Sequence, residues 1–120
     1  MEISERAVLL RVFIGESDKL GHQPLYEAIV KRARDADLAG ATVLKGVLGF
    51  GATARIRTHK ILDLSSDLPL VIEIVDEEEK INAFKATLSE LFEQAACGGL
   101  VTLENARVIH YIKGNKKKPR

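Results

Sequence analysis

Cysteine, tryptophan and long apolar runs are scarce in this sequence, and each scarcity narrows the class of protein. The 120 residues include one cysteine, no tryptophan and 5% aromatic residues. A lone Cys97 excludes an internal disulfide and a metal site built from several cysteines. No apolar run approaches the ~20 residues that cross a bilayer as a helix. Residues 1–11 carry Glu2 and Glu5 and lack an apolar core, so we expect no signal peptide and a cytoplasmic location.

The net charge is small, but its distribution is uneven. The 18 basic and 17 acidic residues give a net charge of +1. Five of the basic residues lie from Lys113 to Arg120, so residues 1–112 hold 13 basic against 17 acidic residues, a net of −4. We therefore predict one domain over residues 1–113 and a basic C-terminal tail over residues 114–120. An acidic body with few aromatic side chains does not favour nucleic-acid binding.

Apolar periodicity predicts four strands and two helices. The strands are expected at 7–16, 41–48, 69–76 and 107–112, and residues 100–103 form a short extended piece. One helix is expected at 24–39, ended by Gly40, and the other runs from Asp76 as N-cap to just before Gly98. Residues 52–68 show no clean period and are predicted to form a long loop. The order β-α-β-β-α-β predicts an α+β, ferredoxin-like fold, with a four-stranded antiparallel sheet and both helices on one face.

The two faces of the predicted sheet differ in polarity. In the first and third strands one face is wholly aliphatic, which suits packing under the helices. The opposite face is also largely apolar, interrupted by Arg11, Glu73 and, as we interpret the pattern, Lys45. A contiguous apolar surface of this kind marks an interface, so we expect an oligomer in which these faces meet. A monomer with an apolar sheet surface is the alternative.

Residues suited to catalysis or metal binding do not fall into a recognisable pattern. His22, His59 and His110 lack the spacing of metal ligands, and Cys97 has no evident base beside it. We therefore expect neither an enzyme nor a metal site.

Two glycine clusters are more informative. Gly46, Gly49 and Gly51 follow the second predicted strand, and glycine lets backbone N–H groups approach a phosphate closely. Cations that would neutralise a phosphate come next, at Arg55, Arg57, His59 and Lys60. A second pair, Gly98-Gly99, precedes Leu100, Val101 and Thr102. Turn glycines beside a solvated basic loop would produce the same pattern, so composition leaves both interpretations open.

Taken together, four segments resemble a known family. They are PLYEAIVKRARDADLAGATVLKG (Pro24–Gly46), GVLGFG (Gly46–Gly51), DLPLVIEIVDEEEKI (Asp67–Ile81) and GGLVTLENARV (Gly98–Val108). In combination they are similar to the uncharacterised PII-like proteins of bacteria and archaea, and the resemblance extends over residues 6–113.

The resemblance implies a relative of the PII signal-transduction proteins. Those are trimers of ferredoxin-like subunits that bind adenine nucleotides in clefts between subunits, and they engage transporters or enzymes through a long loop after the second strand. By this resemblance, Lys45-Gly46 and Gly49-Phe50-Gly51 begin that loop, Gly98–Thr102 corresponds to the phosphate-contacting loop, and His110 lies near the C-terminal basic contacts. The loop here is shorter and lacks the modified tyrosine, and residues 98–105 lack the expected basic residue.

Our leading hypothesis is a non-enzymatic homotrimer that senses a small anionic effector, with ATP, ADP or AMP as candidates. The effector would bind where Gly46–Gly51 of one subunit faces Gly98–Thr102 of a neighbour, and residues 50–68 would act on a membrane transporter or an enzyme. The candidate ligand-binding residues are Lys45, Gly46, Gly49, Phe50, Gly51, Arg55, Arg57, His59, Gly98, Gly99, Leu100, Val101, Thr102 and His110.

Two other functions fit the same fold. One is a trimeric metal- or anion-homeostasis protein of the copper-tolerance type, without nucleotide binding. The other is an acylphosphatase-like enzyme, which needs an arginine-bearing phosphate loop after the first strand. The acidic stretch Gly15-Glu16-Ser17-Asp18-Lys19 at that position argues against it.

Overall fold

A computed structural model describes residues 5–58 and 67–114. In chain order its elements are β1 (Arg6–Gly15), β2 (Lys19–Leu20), β3 (Gln23–Pro24), α1 (Leu25–Asp35), β4 (Thr42–Lys45), β5 (Leu48–Gly49), β6 (Arg57–Thr58), β7 (Pro69–Asp76), α2 (Glu78–Ala95) and β8 (Leu100–Arg107). Neither helix in these two ranges is both long and apolar enough to cross a membrane.

The main sheet has four strands in the order β4-β7-β1-β8, and each neighbouring pair is antiparallel. The central strand β1 pairs with β7 from Val8↔Asp76 to Gly15↔Pro69, and with β8 from Arg6↔Arg107 to Phe13↔Leu100. Two short hairpins, β2-β3 and β5-β6, stand apart from this sheet. The predicted ferredoxin-like fold, with a four-stranded antiparallel sheet and two helices, is confirmed.

One face of the sheet forms the core with both helices. Its strand residues are buried, namely Val8, Leu10, Val12 and Ile14 of β1 and Leu70, Ile72 and Ile74 of β7. The helices contribute Leu25, Ile29 and Ala33 from α1 and Ile81, Phe84, Leu88 and Leu91 from α2. Burying each large aliphatic side chain stabilises the fold by roughly 1.5–3 kcal/mol. The wholly aliphatic strand faces therefore lie under the helices, as the alternating pattern predicts.

Asp76, which the sequence predicts as the N-cap of the second helix, is fully buried. Its Oδ1 accepts the Glu77 N–H at 2.6 Å and its Oδ2 accepts the Ala39 N–H at 2.9 Å. Lys80 Nζ lies 3.8 Å from Oδ2. Glu77 is the N-cap instead. The carboxylate thus ties the segment between α1 and β4 to the start of α2, and these partners offset the cost of its burial.

The first helix ends earlier than predicted, at Asp35 rather than at residue 39. The chain reverses at Asp37, whose φ of 60° is left-handed, and not at Gly40. Aspartate tolerates this conformation because its short polar side chain can bond to nearby backbone.

The predicted second strand, 41–48, is divided between β4 and β5. Between them the Gly46 N–H donates to the Pro69 carbonyl at 2.7 Å. Lys45, which we assigned to the face away from the helices, pairs with Leu70 and so shares the helix side of the sheet. Its Nζ lies 2.7 Å from Glu16 Oε2, and this hydrogen bond raises the pKa of Lys45. A lysine is accommodated there because β4 is an edge strand whose end reaches solvent.

The prediction for the last strand is wrong. The strand is β8, Leu100–Arg107, whereas residues 108–112 lie outside any strand. Most side chains of β8 are exposed because it is an edge strand, so its sequence carries little apolar alternation. Hydrogen bonding to β1 over eight residue pairs fixes it in the sheet.

The sheet surface away from the helices, here called the open face, is partly covered by residues 108–111. The Val108 N–H donates to the Glu5 carbonyl at 3.0 Å, and the Tyr111 hydroxyl donates to the Ala39 carbonyl at 3.4 Å. This segment therefore crosses the sheet from the end of β8 towards the start of β4. Farther along the open face, Leu44 and Leu100 remain exposed.

Candidate functional site

A cleft of about 660 Å³ lies at the end of the sheet where β1 ends and β7 and β8 begin. Four parts of the chain line it, namely Phe13–Gly15 with Asp18, Gly49–Thr53 with Arg57, Pro69–Val71, and Ala96–Leu100. Its size falls within the ~300–1,000 Å³ of small-molecule sites.

The glycines of the cleft allow its walls to approach one another. A Cβ on Gly99 would lie 2.6 Å from Phe92 Cε1 and 3.2 Å from Ile14 Cγ2, so β8 starts against the end of α2 at a distance only glycine permits. A Cβ on Gly49 would lie 3.2 Å from Pro69 Cγ.

The two glycine clusters meet within one chain. A Cβ on Gly98 would lie 3.9 Å from Ala52 Cβ. The hypothesis had assigned the two clusters to different subunits. The structure brings them side by side within a single chain, and their meeting across subunits stays a prediction.

Arg57 is the one basic side chain that lines the cleft among the described residues. Its guanidinium lies directly over Gly15, where any Cβ would overlap it. Arg57 Nη1 donates to Asp67 Oδ1 at 3.0 Å, and Nη2 lies 3.9 Å from Asp18 Oδ1. Asp18 Oδ2 also accepts the Gly15 N–H at 2.8 Å. The arginine is therefore held in place by two carboxylates.

The carboxylate of Asp67 accepts four hydrogen bonds near the cleft. Besides Arg57, its carboxylate accepts the Ser17 N–H at 3.2 Å, the Ser17 hydroxyl at 2.7 Å and a hydrogen bond from Arg55. Burial alone would raise the pKa of Asp67, but the Ser17 hydrogen bonds and the charges of Arg57 and Arg55 together lower it. The carboxylate is thus ionised at neutral pH. Both arginines predicted to neutralise a phosphate already face an internal anion.

The rest of the cleft is mainly apolar. Phe13, Pro69 and Val71 are half-buried along one side, while Leu100 is largely exposed and Phe50 is 71% exposed at the rim. The lining thus combines apolar side chains with glycine backbone and one guanidinium, which suits a ligand that joins a flat ring to an anionic group.

Cys97 also lines the cleft but lacks the features of a nucleophile. Burial and, to a smaller extent, the charge of Asp18 raise the pKa of its thiol, so the unreactive protonated form prevails at neutral pH. Within residues 5–58 and 67–114, no three His, Cys, Asp or Glu side chains converge as metal ligands.

The structure brings together half of the residues predicted for the site. Those lining the cleft are Gly49, Phe50, Gly51, Arg57, Gly98, Gly99 and Leu100. Lys45, Gly46 and Arg55 lie nearby without lining it. Val101 pairs with Val12 and Thr102 with Arg11, farther along β8.

The two predicted histidines are not among the residues that line the cleft. His110 lies beside Leu9 and Val75 in a separate hollow of about 380 Å³, at the opposite end of the sheet. His59, like Lys60, falls outside the described residues.

Sequence reasoning missed Asp18 and Asp67, the two carboxylates that hold Arg57. Ser17 and Asp67 are 50 residues apart, so only the folded chain reveals their contact. The one local signal was the acidic stretch after the first strand, which we used as an argument against an acylphosphatase and not as a guide to the site.

Comparison with known proteins identifies relatives of the whole domain. The sequence profile of the DUF190 family, described as "Uncharacterized ACR", matches residues 7–108. A UPF0166 protein of Aquifex aeolicus (strain VF5) is 43% identical over 102 residues, covering 85% of this chain and 92% of that protein. A UPF0166 protein of Methanocaldococcus jannaschii is 34% identical over 103 residues, covering 86% and 92%.

Solved structures support the fold. CPII, a nitrogen regulatory PII-like protein from Thiomonas intermedia K12 bound to ADP, AMP and bicarbonate, superposes with a TM-score of 0.66 at 17% identity, covering 86% of this chain and 88% of that one. A structure of CPII bound to ADP and bicarbonate gives a TM-score of 0.64 at 18% identity, with the same coverage. The predicted PII-like fold is confirmed.

Proposed function

Because the chain belongs to the DUF190 family and has a PII-like fold, we propose that it is a non-enzymatic regulator that binds a small anionic effector, with an adenine nucleotide as first candidate. The observation that carries the proposal is the cleft itself. Two glycine segments separated by almost 50 residues, Gly49–Gly51 and Gly98–Gly99, line one cleft together with Arg57. Glycine backbone and a guanidinium are the groups that commonly hold a phosphate.

The proposed orientation follows from the polarity of the walls. The adenine ring would lie against the apolar side, near Phe13 and Leu100, and the phosphate would face Arg57 and the glycine backbone. That CPII carries ADP and AMP supports the choice of nucleotides to test. Arg57 is already oriented by Asp67 and Asp18, so little conformational entropy is lost when it contacts the ligand.

We further propose that the protein is a cytoplasmic homotrimer whose open faces meet. Leu44 and Leu100 remain exposed on this surface in a single chain, which supports a covered interface in the assembly. Because Leu100 also lines the cleft, this interface would place the nucleotide at the boundary between subunits. Residues 50–68 would then transmit the ligand-bound state to a transporter or an enzyme. Phe50 and Ile56, both largely exposed, supply apolar contact area for such a partner.

Isothermal titration with ATP, ADP, AMP and cyclic AMP tests the proposal, on protein whose mass is measured by light scattering in the same buffer. We expect a trimer that binds at least one of these ligands and leaves it unhydrolysed. No heat with any nucleotide, on protein shown to be trimeric, would refute nucleotide sensing. A thermal shift with Cu²⁺ or Zn²⁺ in that case would favour the metal-homeostasis alternative.

A matched pair of variants connects binding to the cleft. Arg57→Gln removes the cation that lines it, and we expect roughly tenfold weaker binding because a charged hydrogen bond is lost. Arg34→Gln removes an exposed arginine from the last turn of α1 and should leave binding unchanged. Equal effects of the two substitutions would place the ligand elsewhere.

A further inference from the structure

Resting on the proposed function, we propose that Asp67 determines how the cleft discriminates between anions of different charge. Its carboxylate acts as an internal anion at Arg57 and Arg55, so the binding strength of an external anion depends on competition with it. The cleft of the native protein should therefore gain little from each phosphate added to a ligand.

The contacts of Asp67 support this assignment. Oδ1 accepts hydrogen bonds from Arg57 Nη1 at 3.0 Å and from the Ser17 hydroxyl at 2.7 Å, while Oδ2 accepts one from Arg55. The side chains of Asp67 and Arg57 are only 17% and 18% exposed, so solvent screens this ion pair weakly. A carboxylate held by Ser17 as well as by two arginines stays in place when an anion enters.

The charges around Arg57 reinforce the effect. Asp18 Oδ1 lies 3.9 Å from Arg57 Nη2, whereas Asp67 accepts a hydrogen bond from Nη1. Two carboxylates thus face the one cation of the described cleft lining. Without Asp67, Asp18 would be the one carboxylate near Arg57 and Arg55 among these contacts, so the cleft would gain net positive charge and each negative charge on a ligand would be attracted more strongly.

The experiment compares adenosine, AMP, ADP and ATP, without divalent metal, on the native protein and on Asp67→Asn. For the native protein we expect affinity to change less than about threefold from AMP to ATP, because the net charge facing the ligand is small. In D67N we expect roughly fivefold tighter AMP binding, a larger gain for ATP and none for adenosine. A merely structural role for Asp67 would alter all four ligands alike.

Two further variants separate charge from shape. Asp67→Glu restores a carboxylate and should return the native dependence on ligand charge. Asp35→Asn, which removes an exposed acid at the end of α1, controls for net charge and should have no effect. Circular dichroism of D67N verifies its fold. If that variant does not fold, the affinities of the native protein for adenosine, AMP, ADP and ATP test the proposal by themselves.

The outcomes are distinguishable from those of the proposed function. If no nucleotide binds the native protein or D67N, nucleotide sensing is refuted and this assignment with it. If nucleotides bind but D67N binds them equally or more weakly, the assignment to Asp67 alone is overturned. A native affinity that rises about tenfold with each added phosphate would also overturn it.

Discussion

Arg11 Nε lies 2.9 Å from Glu73 Oε2, and these two residues are direct partners in the pairing of β1 with β7. Nη1 of the same guanidinium lies 2.8 Å from Glu104 Oε1 on β8. The hydrogen bond to Glu73 raises the pKa of Arg11, against an opposing effect of burial and with help from Glu104. One cation therefore joins three strands at the middle of the open face. If a second copy covered this face, the charges would already be paired, which reduces the cost of removing them from water.

Arg11→Glu is predicted to disrupt the proposed trimer. The substitution would place three carboxylates on adjacent strands, and like charges on neighbouring strands repel one another. We expect light scattering to report a smaller species at concentrations where the native protein is associated. Arg32→Glu, on the exposed side of α1, changes the charge equally and should leave the mass unchanged. An R11E protein of native mass would show that the open faces do not form the interface.

Gly99→Ala is predicted to destabilise the fold. The new Cβ would lie 2.6 Å from Phe92 Cε1, so either the ring or the start of β8 must move, at a cost of about 1–3 kcal/mol. Urea unfolding measures the change in the free energy of unfolding. Gly40→Ala is the matched control, since no atom lies within 4 Å of its Cβ position and its stability should stay within about 0.5 kcal/mol of native. Equal stability of the two variants would contradict the close approach at Gly99.

The core was predictable because its signal is local and periodic. The aliphatic alternation from Val8 to Ile14 and from Leu70 to Ile74 predicted the buried strand faces. The position of the final strand was not predictable in this way, because β8 lies at the edge of the sheet and its side chains are mostly exposed. Residues 107–112 are richer in apolar side chains, so the same rule selected the wrong segment. Pairing with β1, a contact distant in sequence, determines the outcome.

The site was predictable in its glycines and not in its charges. Gly49, Gly51, Gly98 and Gly99 were recognised by composition and by resemblance, and all four line one cleft. The arginines were interpreted as free cations, since no local pattern shows that Asp67 neutralises them. That pairing depends on the meeting of distant loops, as the Ser17 hydrogen bonds to Asp67 demonstrate.

Asp67 is predicted to make stability depend on acidic pH. Its pKa in the folded protein lies below the usual value of 3.8, so its ionised form favours folding. This contribution is fully present above the pKa of the unfolded chain and is lost as pH falls through the folded value. Urea unfolding at about pH 6 and about pH 3 should show a smaller pH-dependent loss in Asp67→Asn than in the native protein. The exposed-site variant Asp35→Asn should lose stability as the native protein does, and a D67N protein with the full native loss would contradict the prediction.

Cys97 is predicted to react slowly with thiol reagents, at a rate that depends on the charges of Asp18 and Arg57. Burial and the charge of Asp18 raise the pKa of the thiol, whereas Arg57 lowers it, so less thiolate is present at about pH 8 than in the unfolded chain. Asp18→Asn keeps an oxygen acceptor for the Gly15 N–H while removing the charge, and should accelerate the reaction with a disulfide reagent. Arg57→Gln should slow it. The rate in denaturant gives the reference for a free thiol, and identical rates in both variants would show that these two charges do not act on Cys97.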